Sequence, residues 1–126
     1  MAEARPKILC VDDDEDVLMT LKLVLEKNGY RMIGARSAEE GLEKFKSEKP
    51  DLVIADLMME EIDAGTNFVK EIRALGSDVP VYLLSSVGDQ LAMTVDTTPL
   101  GVSGIFQKPI DTSTLLATLR AIIPQS

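Results

Sequence analysis

Four short apolar, strand-like runs in this chain each end abruptly at polar residues. Ile8-Leu9-Cys10-Val11 runs into Asp12 and Asp13, and Leu52-Val53-Ile54-Ala55 into Asp56. Val81-Tyr82-Leu83-Leu84 runs into Ser85, and Gly104-Ile105-Phe106-Gln107 into Lys108. Runs without polar alternation read as strands covered on both faces, the situation of a parallel sheet flanked by helices. Amphipathic helical patterns between the runs complete that reading, and open parallel sheets place their sites beyond the carboxyl ends of the strands. Five polar residues far apart in sequence are therefore expected on one sheet edge.

The rest of the chain supplies the intervening elements. The first strand is Lys7 to Val11. Val17, Leu18, Leu21, Val24 and Leu25 then recur at helical spacing, and Asn28-Gly29 closes that helix, with Gly29 suited to a left-handed cap. A second strand is expected from Arg31 to Ala35. Ser37-Ala38-Glu39-Glu40 reads as a capping box opening a helix that turns Leu42 and Phe45 inward, broken at Lys49-Pro50. The third helix should carry Phe68, Val69, Ile72 and Leu75 on one side. A weaker helix near 89–95 is interrupted by Thr97-Thr98-Pro99. The last helix shows Leu115, Leu116, Leu119, Ile122 and Ile123 on one face. Five strand–helix units with right-handed crossovers follow. The 126 residues fit one α/β domain, 1–126, with an ordered core about 7–123.

Composition narrows the chemistry. A formal net charge of -8 argues against direct nucleic-acid binding and against anionic membranes, which reward basic patches. With no His and one Cys, nitrogen/sulfur zinc sites are excluded, and Cys10 reads as a small buried hydrophobe. Any metal must be held by oxygen, which means magnesium, manganese or calcium. The N-terminus lacks the apolar core of a signal peptide, and no run is long enough to span a bilayer, so a cytoplasmic protein is expected.

If the first and third strands are neighbours, Asp12, Asp13 and Asp56 converge. Two unit charges ~4 Å apart repel by about 4 kcal/mol at an effective dielectric of ~20. A divalent cation resolves that repulsion, and hard oxygen ligands with completing waters suit magnesium. Asp14, Glu15 and Asp16 read instead as the cap and first turn of the helix, where acids oppose the helix dipole. A mimic of a calcium loop at Asp12, Asp14 and Asp16 fails, because Val17 replaces the required Gly and Leu23 the closing Glu. Ser85 can donate to a phosphoryl oxygen, and Lys108 offers a compact cation for the same oxygens.

The pieces Lys-Ile-Leu-Cys-Val-Asp-Asp-Asp, Pro-Asp-Leu-Val-Ile-Ala-Asp-Leu-Met-Met, Val-Pro-Val-Tyr-Leu-Leu-Ser-Ser and Gln-Lys-Pro-Ile-Asp occur in that order. In this the chain resembles the receiver domain of bacterial two-component response regulators. The resemblance implies a flavodoxin-like (βα)5 fold with strand order 2-1-3-4-5. It implies that Asp56 accepts a phosphoryl group from a sensor histidine kinase, a phosphotransfer protein or a small phosphodonor. Magnesium, with manganese as a substitute, would sit on Asp12, Asp13, Asp56 and the Met58 backbone carbonyl. Ser85 would be the switch hydroxyl and Lys108 the phosphate-binding lysine. A downstream protein would dock on the face of the fourth helix, fifth strand and fifth helix. The implied protein is a monomer or a phosphorylation-dependent dimer, a signalling switch rather than an enzyme. Two departures touch that face and the acceptor loop. Ile105 stands where the family carries a switch aromatic, and Glu60 where it usually carries Pro. Two other readings are a pseudo-receiver that binds proteins without phosphorylation, and a hydrolase of the haloacid dehalogenase type with Asp12 as nucleophile.

Overall fold

The apolar runs form one five-stranded parallel sheet in the order β2-β1-β3-β4-β5. The strands are β1 (Lys7–Val11), β2 (Arg31–Ala35), β3 (Leu52–Asp56), β4 (Val81–Ser85) and β5 (Gly104–Gln107). The structure is a computed structural model that describes residues 5–56, 64–85, 103–108 and 110–123, with the side chains of 64–67 excepted. Four helices fall among the described residues: α1 (Glu15–Lys27), α2 (Ala38–Glu48), α3 (Ala64–Ala74) and α4 (Thr112–Ile122). The weak helix expected near 89–95 lies outside them, as do Met58, Glu60 and Pro109.

The runs of β1, β3 and β4 do not alternate because both sheet faces are buried there, whereas the edge strand β5 leaves Ile105 and Gln107 exposed. Leu9, Val11, Val53, Ala55, Val81 and Leu83 pack with Phe45 of α2 and Phe68, Val69 and Ile72 of α3. Ile8, Cys10, Leu52, Ile54, Tyr82 and Leu84 pack with Leu21 and Leu25 of α1 and Leu115 and Leu119 of α4. Cys10 is fully buried, and burial, with Asp12 adding, pushes its thiol far above the ordinary range; it is a packing residue. Two expected inward positions turn out. Leu75 is 51% exposed because α3 ends one residue earlier and the chain turns out through Gly76, at φ 89. Ile122, in the last turn of α4, is 38% exposed, while Leu116 and Ile123 stay partly buried.

Local signals set the helix ends. Asp14 caps α1 by accepting from the Asp16 amide at 2.9 Å. Ser37 caps α2 by accepting from Glu40 N–H at 3.0 Å. The return half of the box is displaced by one residue, since Glu40 Oε1 accepts from Arg36 N–H at 2.8 Å. Lys49 ends α2 in the left-handed region, at φ 50 and ψ 65, where a β-carbon is unfavourable. Lys49→Gly is expected to raise stability by about 0.5–1 kcal/mol, the relieved strain exceeding the added unfolded-state entropy. A lowered urea midpoint would contradict it.

One close approach fixes α2 over the sheet. A β-carbon on Gly41 would stand 2.8 Å from Val11 Cγ2 and 3.2 Å from Phe68 Cε1. Gly41→Val is therefore expected to cost about 1–3 kcal/mol by overpacking, read from urea unfolding. An unchanged midpoint would mean that α2 can lift away freely.

Candidate functional site

The site follows from strand register. β1 and β3 pair with Val11 opposite Ala55, so the next residues, Asp12 and Asp56, stand side by side at the carboxyl edge of the sheet. β4 pairs with both β3 and β5, which places Ser85 opposite Gln107. The Lys108 amide donates to the Ser85 carbonyl at 2.7 Å, extending that pairing one residue beyond β5. The sheet thus brings Asp12, Asp13, Asp56, Ser85 and Lys108 to its carboxyl edge, as expected.

Asp12 and Ser85 are fully buried and Asp56 is 4% exposed, while Asp13 is exposed. One carboxylate oxygen from each of Asp12, Asp13 and Asp56 lies within 4.8 Å of the others, a set that could hold a metal ion. Asp12 divides its duties. Its Oδ1 accepts from the Asp14 amide at 2.9 Å, which stiffens the β1–α1 turn. Its Oδ2 lies 3.0 Å from Lys108 Nζ, yet this buried oxygen has no hydrogen-bond partner among the described residues. The contact is a close ion pair with poor hydrogen-bond alignment. A buried acceptor left in that state fits a cation ligand.

Lys108 Nζ also donates to Asp56 Oδ2 at 3.3 Å. Sequence reasoning aimed this ammonium at a phosphoryl group and missed that it spans two carboxylates without one. Its partial burial would lower its pKa, but Asp12 and Asp56 outweigh that and raise it above the ordinary lysine value. The ammonium is held charged between two acids.

On β5 the aromatic arrangement differs from the one the resemblance suggested. Ile105 is 37% exposed. Phe106 points to the opposite face and stacks on Tyr82, with ring centroids 5.0 Å apart. The Tyr82 ring fills the space above Gly104, its cross-strand neighbour, where a β-carbon would lie 2.8 Å from Tyr82 Cε2. The aromatic beside position 105 is thus locked in the core.

Comparison with known proteins agrees with this geometry. A model of the response regulator receiver domain matches residues 8–120. A probable transcriptional regulator ycf27 of Guillardia theta is 36% identical over 121 residues, covering 96% of this chain and 46% of that protein. The alkaline phosphatase synthesis transcriptional regulatory protein PhoP of Bacillus subtilis is 32% identical over 120 residues, covering 95% of this chain and 49% of that protein. The chain spans about half the length of these curated relatives. Among solved structures, a receiver domain protein from Clostridium thermocellum superposes with a TM-score of 0.83 at 28% identity, covering 94% of both chains. The chemotaxis protein CheY4 of Vibrio cholerae does so with a TM-score of 0.81 at 27% identity, over 95% of this chain and 100% of that one. Among the described residues no helix is long and apolar enough to cross a membrane.

Proposed function

Because the chain belongs to the response regulator receiver domain family, we propose that it is a phosphorylation-dependent switch whose acceptor is Asp56. The observation that carries this reading is the convergence of three carboxylates and one ammonium at the carboxyl ends of β1, β3 and β5. Asp12, Asp13 and Asp56 would hold magnesium, with manganese as a substitute, and the resemblance adds the Met58 carbonyl. When bound, the ion supplies positive charge beside the phosphoryl oxygens.

The chain's own residues then divide the work. An Asp56 carboxylate oxygen attacks phosphorus in line with the bond to the donor. That bond breaks, and its electron pair leaves with the donor: an imidazole from a phosphohistidine, or acetate from acetyl phosphate. Little covalent chemistry is asked of the protein, so positioning and charge neutralisation dominate. Asp56 closes β3, which pairs with β1 up to Ala55 and with β4 through Asp56 itself, opposite Leu84. Lys108 lies within 3.3 Å of the acceptor and can pass from Asp12 and Asp56 to the incoming oxygens without travelling far. Ser85, buried at the end of β4, would donate its hydroxyl to a phosphoryl oxygen, a charge-assisted bond stronger than a neutral one. The new charge would bias a two-state surface.

The partners proposed on this reading are a sensor histidine kinase or phosphotransfer protein and a downstream protein. Incubation with acetyl phosphate and magnesium, followed by intact mass, should show one added phosphoryl group that EDTA prevents. No magnesium-dependent addition from either acetyl phosphate or a phosphohistidine donor would defeat the reading and favour a binding module without phosphorylation.

A further inference from the structure

A cleft of about 300 Å3 opens between α1 and the edge strand β2, and none of the five site residues lines it. Its volume is at the low end for small-molecule sites. Its origin is a single missing side chain. β2 turns Met32 and Gly34 toward α1, and Gly34 leaves the space open. A β-carbon there would meet Met32 Cε at 3.4 Å, Met32 Sδ at 3.6 Å and Leu18 Cδ1 at 4.0 Å, which is ordinary contact. Gly34 does not have a positive φ either. Neither backbone conformation nor crowding requires glycine at this position, unlike Gly41; its effect is to keep the cleft empty.

The walls are apolar and adaptable. Leu18, Met19 and Met32 line the space, and Met19 is 63% exposed at its mouth. Methionine repacks around irregular shapes at little cost. The edge of β2 is closed on either side of the cleft. Glu26 Oε2 accepts from the Met32 amide at 3.1 Å, and Glu40 Oε1 from the Arg36 amide at 2.8 Å. These carboxylates cap the outward donors and oppose the addition of another strand. Gly34, between them, has no such side-chain cap among the described residues.

Charge on the rim selects the occupant. Lys22 and Arg36 contribute two cations to the lining, Glu15 pairs with Arg36 at 3.1 Å, and the Glu26 and Glu40 carboxylates on either side are already engaged with strand-edge amides. Lys22 has no ion-pair partner among the described residues. Arg36 engages Glu15 through one terminal nitrogen and keeps further N–H donors. Lys22 and the spare donors of Arg36, beside apolar walls, favour one negative charge attached to an apolar body.

We propose that this cleft binds a small amphipathic monocarboxylate, its chain lying over Gly34 against Leu18, Met19 and Met32 and its carboxylate at Lys22 and Arg36. The probe is octanoate, with octanol and octylammonium as isosteres that change only the head group. Titration followed by NMR should give saturable shifts at the Gly34 amide and the Met19 and Met32 methyls. Octanol and octylammonium should bind at least about tenfold more weakly. Gly34→Leu fills the cleft and should abolish these shifts while leaving acetyl phosphate labelling unchanged. Lys22→Glu, on the exposed face of α1, should weaken octanoate about tenfold or more and supplies the decision if Gly34→Leu does not fold. Absent saturation at these groups, equal affinity for octanol, or full binding by Lys22→Glu would each overturn the proposal.

Discussion

Asp56→Asn is expected to lower magnesium-dependent labelling by acetyl phosphate at least about a hundredfold, because the proposed nucleophile is lost and its neighbours are poor substitutes. Asn keeps the volume of Asp and an oxygen that can accept from Lys108 Nζ, now 3.3 Å from Asp56 Oδ2. It removes the negative oxygen that, on the proposed reading, forms the new bond to phosphorus. The fold should survive, because Asp56 is bound into the sheet through its backbone and its charge lies among like charges. The two other carboxylates are poor substitutes. Asp12 is fully buried and already bonds the Asp14 amide, while Asp13 is exposed to water. Mass spectrometry of tryptic fragments, beside urea unfolding of the same variant, separates lost chemistry from lost structure. Labelling at wild-type level in Asp56→Asn, removed by Asp12→Asn, would move the nucleophile to Asp12 and revive the hydrolase reading.

The three central strands were legible because their runs are buried on both faces, which leaves few alternatives once helical spacing separates them. All five strands lie where they were expected, β3 and β4 extending one residue further, and Asp14, Ser37 and Gly29 mark helix ends by chemistry that the bare sequence displays. The order of the strands was different in kind. Runs and spacings do not determine it, and it came from resemblance alone before the register of β1 with β3 bore it out. Side-chain partners were the least legible. Lys108 could be placed at the right edge, but its position between Asp12 and Asp56 depends on where both strands end in space. The same limit hid the Tyr82–Phe106 stack over Gly104, a contact between strands 22 residues apart in register. Leu75 failed for another reason: spacing carries an apolar stripe past the point where a glycine-assisted turn ends the helix.

Removing the Lys108 charge should show how the site is held together before any phosphoryl group arrives. In Lys108→Met the stem keeps its packing, but Asp12 and Asp56 lose the ammonium at 3.0 and 3.3 Å. Two carboxylate oxygens within 4.8 Å then face each other almost without water. At an effective dielectric of ~20 their repulsion is about 3–4 kcal/mol. Lys108 is itself 22% exposed, so water screens part of this, and a loss of about 1–3 kcal/mol in magnesium-free buffer is expected. Because both acids raise the Lys108 pKa, its folded form stabilises below the ordinary lysine range, and that stability is lost as pH rises through the folded value. The variant should lack this alkaline limb. Millimolar magnesium should restore much of the lost stability in Lys108→Met and add less to the wild type, whose ammonium already occupies the centre of charge. Asp12→Asn is the converse change: it relieves repulsion, keeps the Lys108–Asp56 contact, and should lose magnesium affinity without losing metal-free stability. Urea unfolding of both variants with and without magnesium reads all four quantities. If Lys108→Met is as stable as wild type in EDTA, or magnesium stabilises Asp12→Asn as strongly as Lys108→Met, the ammonium and the metal do not share the work of neutralising Asp12 and Asp56.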